Sequence, residues 1–325
     1  MSTSLYFWAG FNAFVLLMLA IDLGVFHRKA HAVKVKEAVI WTAIWVSLAF
    51  VFASGVYHFK GTGPALEFVA GYLIEEALSV DNLFVFLILF SYFKVPAAYQ
   101  HRVLFWGILG ALIMRATLIL VGAALIAKFH WVMYLFGAFL VFTAIKLAMQ
   151  KEEGVDPGNN PIVRTVRRFI PISGEFSGTQ FFVRIDGKRM ATPLFLVLLT
   201  VEFTDLVFAL DSIPAIFAVT QDTFIIYTSN VFAILGLRSL YFALAGIMDM
   251  FHYLKIGLSV ILGFVGVKML IVSYYKIPIG ISLAVVGGLL ALSIAASVIW
   301  PKREPVVAPT PPIPLPPSSE NNQTS

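Results

Sequence analysis

The sequence predicts an all-α polytopic membrane protein, and three observations carry the prediction. Apolar residues make up 59% of the chain against 13% charged, with a mean hydropathy of +0.88, a balance foreign to soluble domains of this size. They gather into about nine runs long enough, as helices, to cross roughly 30 Å of hydrocarbon. The runs are continuously apolar rather than alternating, which selects a helical bundle over a barrel of short strands.

In chain order the runs are 5–26, 37–57, 65–93, 103–127, 131–149, 192–217, 224–247, 253–273 and 278–300. The first follows the uncharged stretch Met1 to Ser4 and reads as a retained helix rather than a cleaved signal; with the second it forms an N-terminal pair within residues 1–60. The third runs from Ala65 to Phe93, longer than a simple crossing needs, so a break or a strong tilt is expected. Runs three to five fill 61–149 and runs six to eight fill 192–273. In the sixth, Pro214 removes a backbone donor and disfavours helical geometry at Ile213, which predicts an interruption that frees carbonyls near Asp211. Between the two groups, 150–191 is a basic connection with a short helix expected around Ile162 to Phe169 and an extended piece at Phe181 to Arg184. A ninth helix occupies 274–300. Residues 301–325, with Pro309, Pro311, Pro312, Pro314, Pro316 and Pro317, read as a disordered tail of polyproline bias.

Basic residues orient the chain. Arg28, Lys29, Lys34 and Lys36, the seven between Lys151 and Arg189, and Lys302 with Arg303 all fall in alternate loops, against Lys60, Lys128 and Lys276 in the opposite set. The expected topology is N-terminus outside and C-terminus in the cytoplasm of a bacterial inner membrane. The formal net charge of +5 then reflects cytoplasmic loops facing anionic headgroups, and no nucleic-acid surface is read from it. Zero cysteines exclude disulfides, thiolate metal sites and dithiol redox chemistry within the chain. No haem, flavin, dinucleotide, phosphate-loop or activated-serine motif occurs, so an enzyme is not expected and no tightly bound cofactor is assigned.

Six carboxylates stand inside the apolar runs: Glu75, Glu76 and Asp81 in the third, Glu202, Asp205 and Asp211 in the sixth. An ionised Asp at a bilayer centre costs about 2.5–3.5 kcal/mol even on lenient scales, so intramembrane acids are candidate pathway residues. Their setting repeats. Glu75-x5-Asp81-Asn82 matches Asp205-x5-Asp211-Ser212; each half then has an Ile-Leu-Gly segment leading to Arg115 or Arg238; Phe129-His130-Trp131 before Lys146 matches Phe251-His252-Tyr253 before Lys268. Under the topology above the halves run oppositely through the membrane, as two inverted three-helix repeats, an architecture of many secondary transporters. Arg115 and Arg238 are the basic residues well inside the runs, and two arginines cannot neutralise six acids; those left over must be protonated, hydrated or bound to a cation. Carboxylates with Ser79, Asn82, Ser212 and backbone carbonyls are hard oxygen donors, suited to manganese, calcium or magnesium rather than zinc or copper.

The stretches Gly71-Tyr72-Leu73-Ile74-Glu75-Glu76-Ala77-Leu78-Ser79-Val80-Asp81-Asn82 and Glu202-Phe203-Thr204-Asp205 through Asp211-Ser212-Ile213-Pro214 resemble the TerC family, and the likeness extends through Ser229-Asn230 to Arg238. It covers about residues 5–300, with the length and layout of the bacterial Alx-like branch. The resemblance implies an inner-membrane protein of inverted repeats related to LysE-type cation exporters, with manganese efflux as the leading activity. By motif position it implies an ion path of Glu75, Asp81, Asn82, Glu202, Asp205, Asp211 and Ser212, supported by Glu76, Ser79, Arg115, Arg238 and Pro214. The family's names from tellurium resistance and redox fit these residues poorly, since an acidic site disfavours an oxyanion. The expected function is a divalent-cation exporter, for Mn2+ foremost, working by exchange with protons. Two rivals stand beside it: a Ca2+/H+ exchanger, and a non-transporting scaffold in a stress-response complex. Expected partners are the lipid bilayer, the cation and protons; a homo-oligomer or stress-complex proteins on 150–191 or on the tail stay open.

Overall fold

The computed structural model describes residues 5–21, 35–129, 131–149, 171–173, 176–185, 188–244 and 253–299, with the side chains of residues 21, 81 and 84 outside that set. The helix expected at 162–169, the proline-rich tail, His130 and His252 lie outside the described residues.

The fold is mostly helical, and helices occupy each predicted apolar run: α1 (Leu5–Ile21), α2 (Val35–Lys60), α3 (Thr62–Tyr92), α4 (Ala97–Lys128), α5 (Val132–Met149), α6 (Pro193–Phe217), α7 (Thr223–Leu244), α8 (Leu254–Leu270) and α9 (Ile279–Ile299). Apolar chain in lipid has no water to satisfy its peptide groups, so it bonds internally as helix. Among the described residues six helices, α2, α4, α5, α6, α7 and α9, are long and apolar enough to cross a membrane. α3 has the length, but its four acids, Glu67, Glu75, Glu76 and Asp81, lower its apolar character; α8 has 17 residues. α2 and α3 are separated by Gly61 alone, whose φ of 90° is open to a residue without a Cβ.

Two expectations about helix shape are corrected. α3 is unbroken over 31 residues and α6 over 25. At 1.5 Å per residue α3 spans about 46 Å, more than the hydrocarbon thickness, so it is accommodated by tilt or protrusion rather than by a break. In α6, Pro214 falls in the last turn, where one lost bond, to Leu210 O, is its main cost, and Ala218 N–H bonds Pro214 O at 3.1 Å directly afterwards.

α7 is the central helix, with nearly all residues from Phe224 to Leu237 buried. It packs on α2, α3 and α4; α4 packs on α6; α9 packs on α8 and α3. Phe52, Phe68, Phe224 and Phe232 join Trp8 and Phe11 in an aromatic cluster, with ring centroids 5.0 Å apart for Phe52–Phe232 and 5.2 Å for Trp8–Phe224. α5 and α8 make a close crossing: a Cβ on Gly266 would stand 2.9 Å from Gly137 O. Large apolar side chains such as Val51, Ile113, Phe142 and Leu292 point outward, as a lipid-facing surface requires.

The extended piece expected at 181–184 is β1 (Phe182–Ile185), and it pairs antiparallel with β2 (Lys188–Ala191) in the register Phe182↔Ala191 to Ile185↔Lys188. The Phe182 ring packs at a tilt against Phe195, with centroids 4.6 Å apart, fastening the hairpin to the start of α6.

Candidate functional site

Four helices meet on one side chain. Arg115, in the middle of α4, is 2% exposed and forks onto Asp205 of α6, with Nε donating to Oδ2 at 3.1 Å and Nη2 to Oδ1 at 2.9 Å. Its Nη1 donates to Glu75 Oε1 of α3, to Ser212 Oγ of α6 at 3.3 Å and to Asn230 Oδ1 of α7 at 3.1 Å. The ring closes sideways: Asn230 Nδ2 donates to Glu75 Oε2 at 3.1 Å, and Asn82 Nδ2 to Asp205 Oδ1 at 3.5 Å. Glu75 and Asn230 are fully buried, and Asp205, Asn82 and Ser212 nearly so. A planar guanidinium with five donors suits this place because it can hold two carboxylates at once.

Charge does not balance in this centre. Glu202, one turn before Asp205 on α6, is half-buried and near enough for the two carboxylates to repel. Arg238 of α7 lines, with Asp205, Val201, Gly107 and Ala111, a small cavity beside the ring. Among the described residues three carboxylates, Glu75, Asp205 and Glu202, thus stand with two guanidiniums. Excess charge in a dry interior calls for a proton or a cation. Two buried oxygens point the same way: Ser79 Oγ and Asn82 Oδ1, three residues apart on α3, have no hydrogen-bond partner among the described residues. Orphaned buried oxygens are the exception in native interiors and accept readily from water or an ion.

Of the residues predicted for the ion path, Glu75, Asn82, Asp205 and Ser212 come together around Arg115. Glu202 sits at the edge of that group, against Gly110 of α4, where any Cβ would overlap its carboxylate. Asp211 stands apart, accepting from Thr143 Oγ1 of α5 at 3.0 Å with Lys146 on the same helix close by. Glu76 faces Tyr72 and Gly236 of α7, with its Oε1 3.4 Å from where a Cβ would sit on that glycine. Asp81 lies on α3 one residue before Asn82; its side chain is outside the described set. Among the described residues no three His, Asp or Glu side chains converge as a ready metal cage. Pro214 lies within the last turn of α6 and does not open it.

Asn230, which bridges Arg115 and Glu75, stands in the family-like stretch but is not among the residues the sequence assigns to the ion path. Its signal was present, an amide in the middle of an apolar run beside Ser229, but it carries no charge to draw notice. Gly110 is marked in the sequence as the last residue of the first Ile-Leu-Gly segment, though not as a neighbour of Glu202, and Thr143 carries no signal; what each does follows from the side chain the fold places opposite it.

A bundle of membrane-length helices closed around a buried arginine–carboxylate ring defines a multi-pass integral membrane protein. The comparisons name the family: the profile described as "Integral membrane protein TerC family" matches residues 60–305, and the chain belongs to that family. An uncharacterized membrane protein of Myxococcus xanthus is 56% identical over 298 residues, 92% of this chain and 93% of that protein. A protein of Escherichia coli strain K12 with the name "Putative membrane-bound redox modulator Alx" is 50% identical over 295 residues, 88% of this chain and 92% of its own length. An uncharacterized membrane protein of Rickettsia bellii is 42% identical over 292 residues. No solved structure matches the chain.

Proposed function

We propose that this protein is a secondary transporter that exports a divalent metal cation, Mn2+ foremost, in exchange for protons, through the centre at Arg115. One observation carries the reading: Glu75 and Asp205, the corresponding acids of the two sequence halves, converge on a single buried arginine with carboxylate in excess. In this reading Arg115 is the resident counter-ion of the empty state. An arriving cation takes its place between the carboxylates, aided by the orphaned Ser79 and Asn82 oxygens, and protons returning to the carboxylates release it. Membership of the TerC family supports the reading through the relation to LysE-type cation exporters that the resemblance of its motifs implies.

The helix contacts also favour a chain of two related three-helix halves; we take these as inverted repeats in a nine-crossing inner-membrane protein, with the N-terminus out and C-terminus in from the distribution of basic loop residues. Under the exchange of α3 with α6, α4 with α7 and α5 with α8, the α3–α7 contact becomes the α6–α4 contact, while α5–α8 maps onto itself. The glycines of the two Ile-Leu-Gly segments follow the same rule: Gly110 abuts Glu202 of α6, and Gly236 abuts Glu76 of α3. Rocking one half against the other would then alternate access around the shared arginine. The redox wording in relatives' names is not carried over, because a chain with no cysteine has no thiol couple of its own.

The test is radioactive Mn2+ efflux from preloaded proteoliposomes bearing the full chain, with Ca2+ run in parallel and an inward proton gradient imposed. Wild type is expected to empty faster than Asp205→Asn by at least tenfold, and Asp211→Asn to be affected less. Equal rates for wild type and Asp205→Asn would overturn the reading; Ca2+ flux without Mn2+ flux would move it to calcium/proton exchange. The scaffold reading draws on the hydrogen bonds that each of the three Arg115 nitrogens already makes, and it predicts no flux of either ion.

A further inference from the structure

α3 carries a stripe of residues at four-residue spacing, Glu67, Gly71, Glu75 and Ser79. Glu75 and Ser79 belong to the centre; Glu67 lies two turns away, about 12 Å along the axis toward Lys60. It is half-buried and takes a 2.5 Å hydrogen bond from Thr220 Oγ1, in the short connection between α6 and α7, on Oε2; Oε1 has no partner among the described residues. Thr220 Oγ1 in turn accepts from Asp222 N–H at 3.1 Å, and Asp222 Oδ2 pairs with Lys60 Nζ at 2.6 Å, which leads the polar chain to the end of the bundle.

Across from Glu67, Lys268 of α8 is 9% exposed. It makes no hydrogen bond, and no ion pair within 4.0 Å, among the described residues, yet Glu67 is close enough to act on its charge. A lysine placed solely to balance Glu67 would be expected to close onto it, since an open pair meets the burial cost of both charges without the contact that offsets it. Between this cluster and the centre the helices touch. A Cβ on Gly71 would stand 2.8 Å from Ser229 Oγ of α7 and 3.5 Å from Ile216 of α6, so the two acidic places are held apart by closed packing.

We infer that Glu67, Thr220 and Lys268 form a second cation station at the Lys60 end of the bundle, where the tethered ammonium of Lys268 competes with the departing divalent cation for the Glu67 carboxylate. The inference rests on the transport reading above and adds to it a place and a release device. When α3 and α7 part at Gly71, a cation leaving the centre meets Glu67 Oε1 and Thr220 Oγ. Lys268 then closes onto the carboxylate, weakens its hold on the metal and lets it go. A single fixed carboxylate without that competitor would retain the ion and take up metal again from outside.

The readout is inhibition of Mn2+ efflux by Mn2+ added on the Lys60 side, measured on the full chain in proteoliposomes at matched protein levels. Lys268→Gln is expected to bring inhibition at roughly tenfold lower added Mn2+, because one unit charge opposing metal binding is removed. Glu67→Gln is expected to make efflux insensitive to added Mn2+, and the double variant to behave as Glu67→Gln. Thr220→Ala, which alters no charge, should raise the inhibiting concentration and serves where a charge variant fails to accumulate. Inhibition curves that coincide with wild type for Lys268→Gln and Thr220→Ala overturn this station while leaving the transport reading standing. A wild type that moves neither Mn2+ nor Ca2+ overturns both.

Discussion

Arg115 is held by partners from three other helices, and its loss should be felt twice. Arg115→Gln leaves Glu75 and Asp205 buried against each other without a cation, a change that costs about 3–5 kcal/mol. The expected outcome is a sharp fall in the folded fraction in membranes, read by thermal size-exclusion analysis of detergent extracts. Arg115→Gln with Asp205→Asn removes one charge of each sign and should recover folded protein while remaining inactive in Mn2+ efflux; a double variant as unstable as the single one would show that packing, not charge, is at stake. Arg115→Lys is not conservative here, because an ammonium cannot fork onto Asp205 and still reach Glu75. The centre was partly legible in the sequence. A charge inside an apolar run is conspicuous, so the acids and Arg115 could be singled out, and their spacing tied the two halves together. Which acids converge was not legible: Glu202, Asp205 and Asp211 sit on one helix, and their roles differ because Gly110, Arg115 and Thr143 come from other helices.

Apolar length located the nine described helices, yet helix shape followed tertiary position rather than composition. Pro214 reads as a breaker wherever it stands in an apolar run, and at the end of α6 it costs little, since the chain turns into the 218–222 connection regardless. The hairpin shows the complementary case: Phe181 to Arg184 signalled an extended strand, but its partner Lys188–Ala191 is basic and carries little strand character. Where helices approach most closely the relevant residues are small. Gly266→Ala would put a methyl 2.9 Å from Gly137 O, from Val141 N and from Val141 Cγ2; two of those atoms are backbone and cannot step aside. A destabilisation of about 1–3 kcal/mol is expected, measured as a lowered midpoint in a thermal unfolding series. Gly263→Ala, whose methyl would meet Ala144 Cβ at 3.7 Å, should unfold like wild type and serves as the control.

At the scale of the molecule, orientation rests on charge, and the absence of cysteine makes it directly measurable. Single cysteines at Gly61 and Lys276 are expected to react with an impermeant maleimide added to intact cells, and cysteines at Lys188 and Lys302 only after lysis; the reverse pattern would invert the topology. The same axis fixes which face of the bundle Glu67 and Lys268 address. Arg115 also ties the molecule to its own synthesis. The ribosome releases Glu75 40 residues before Arg115 and Asp205 90 residues after it. α3 therefore leaves the insertion machinery with an acid whose counter-charge does not yet exist, while α4 arrives in time to rescue it and then waits for α6. Insertion of this chain is thus a matter of helix pairs rather than single helices, and a nascent chain halted between α3 and α4 is the point at which the quality control of the membrane has its clearest target.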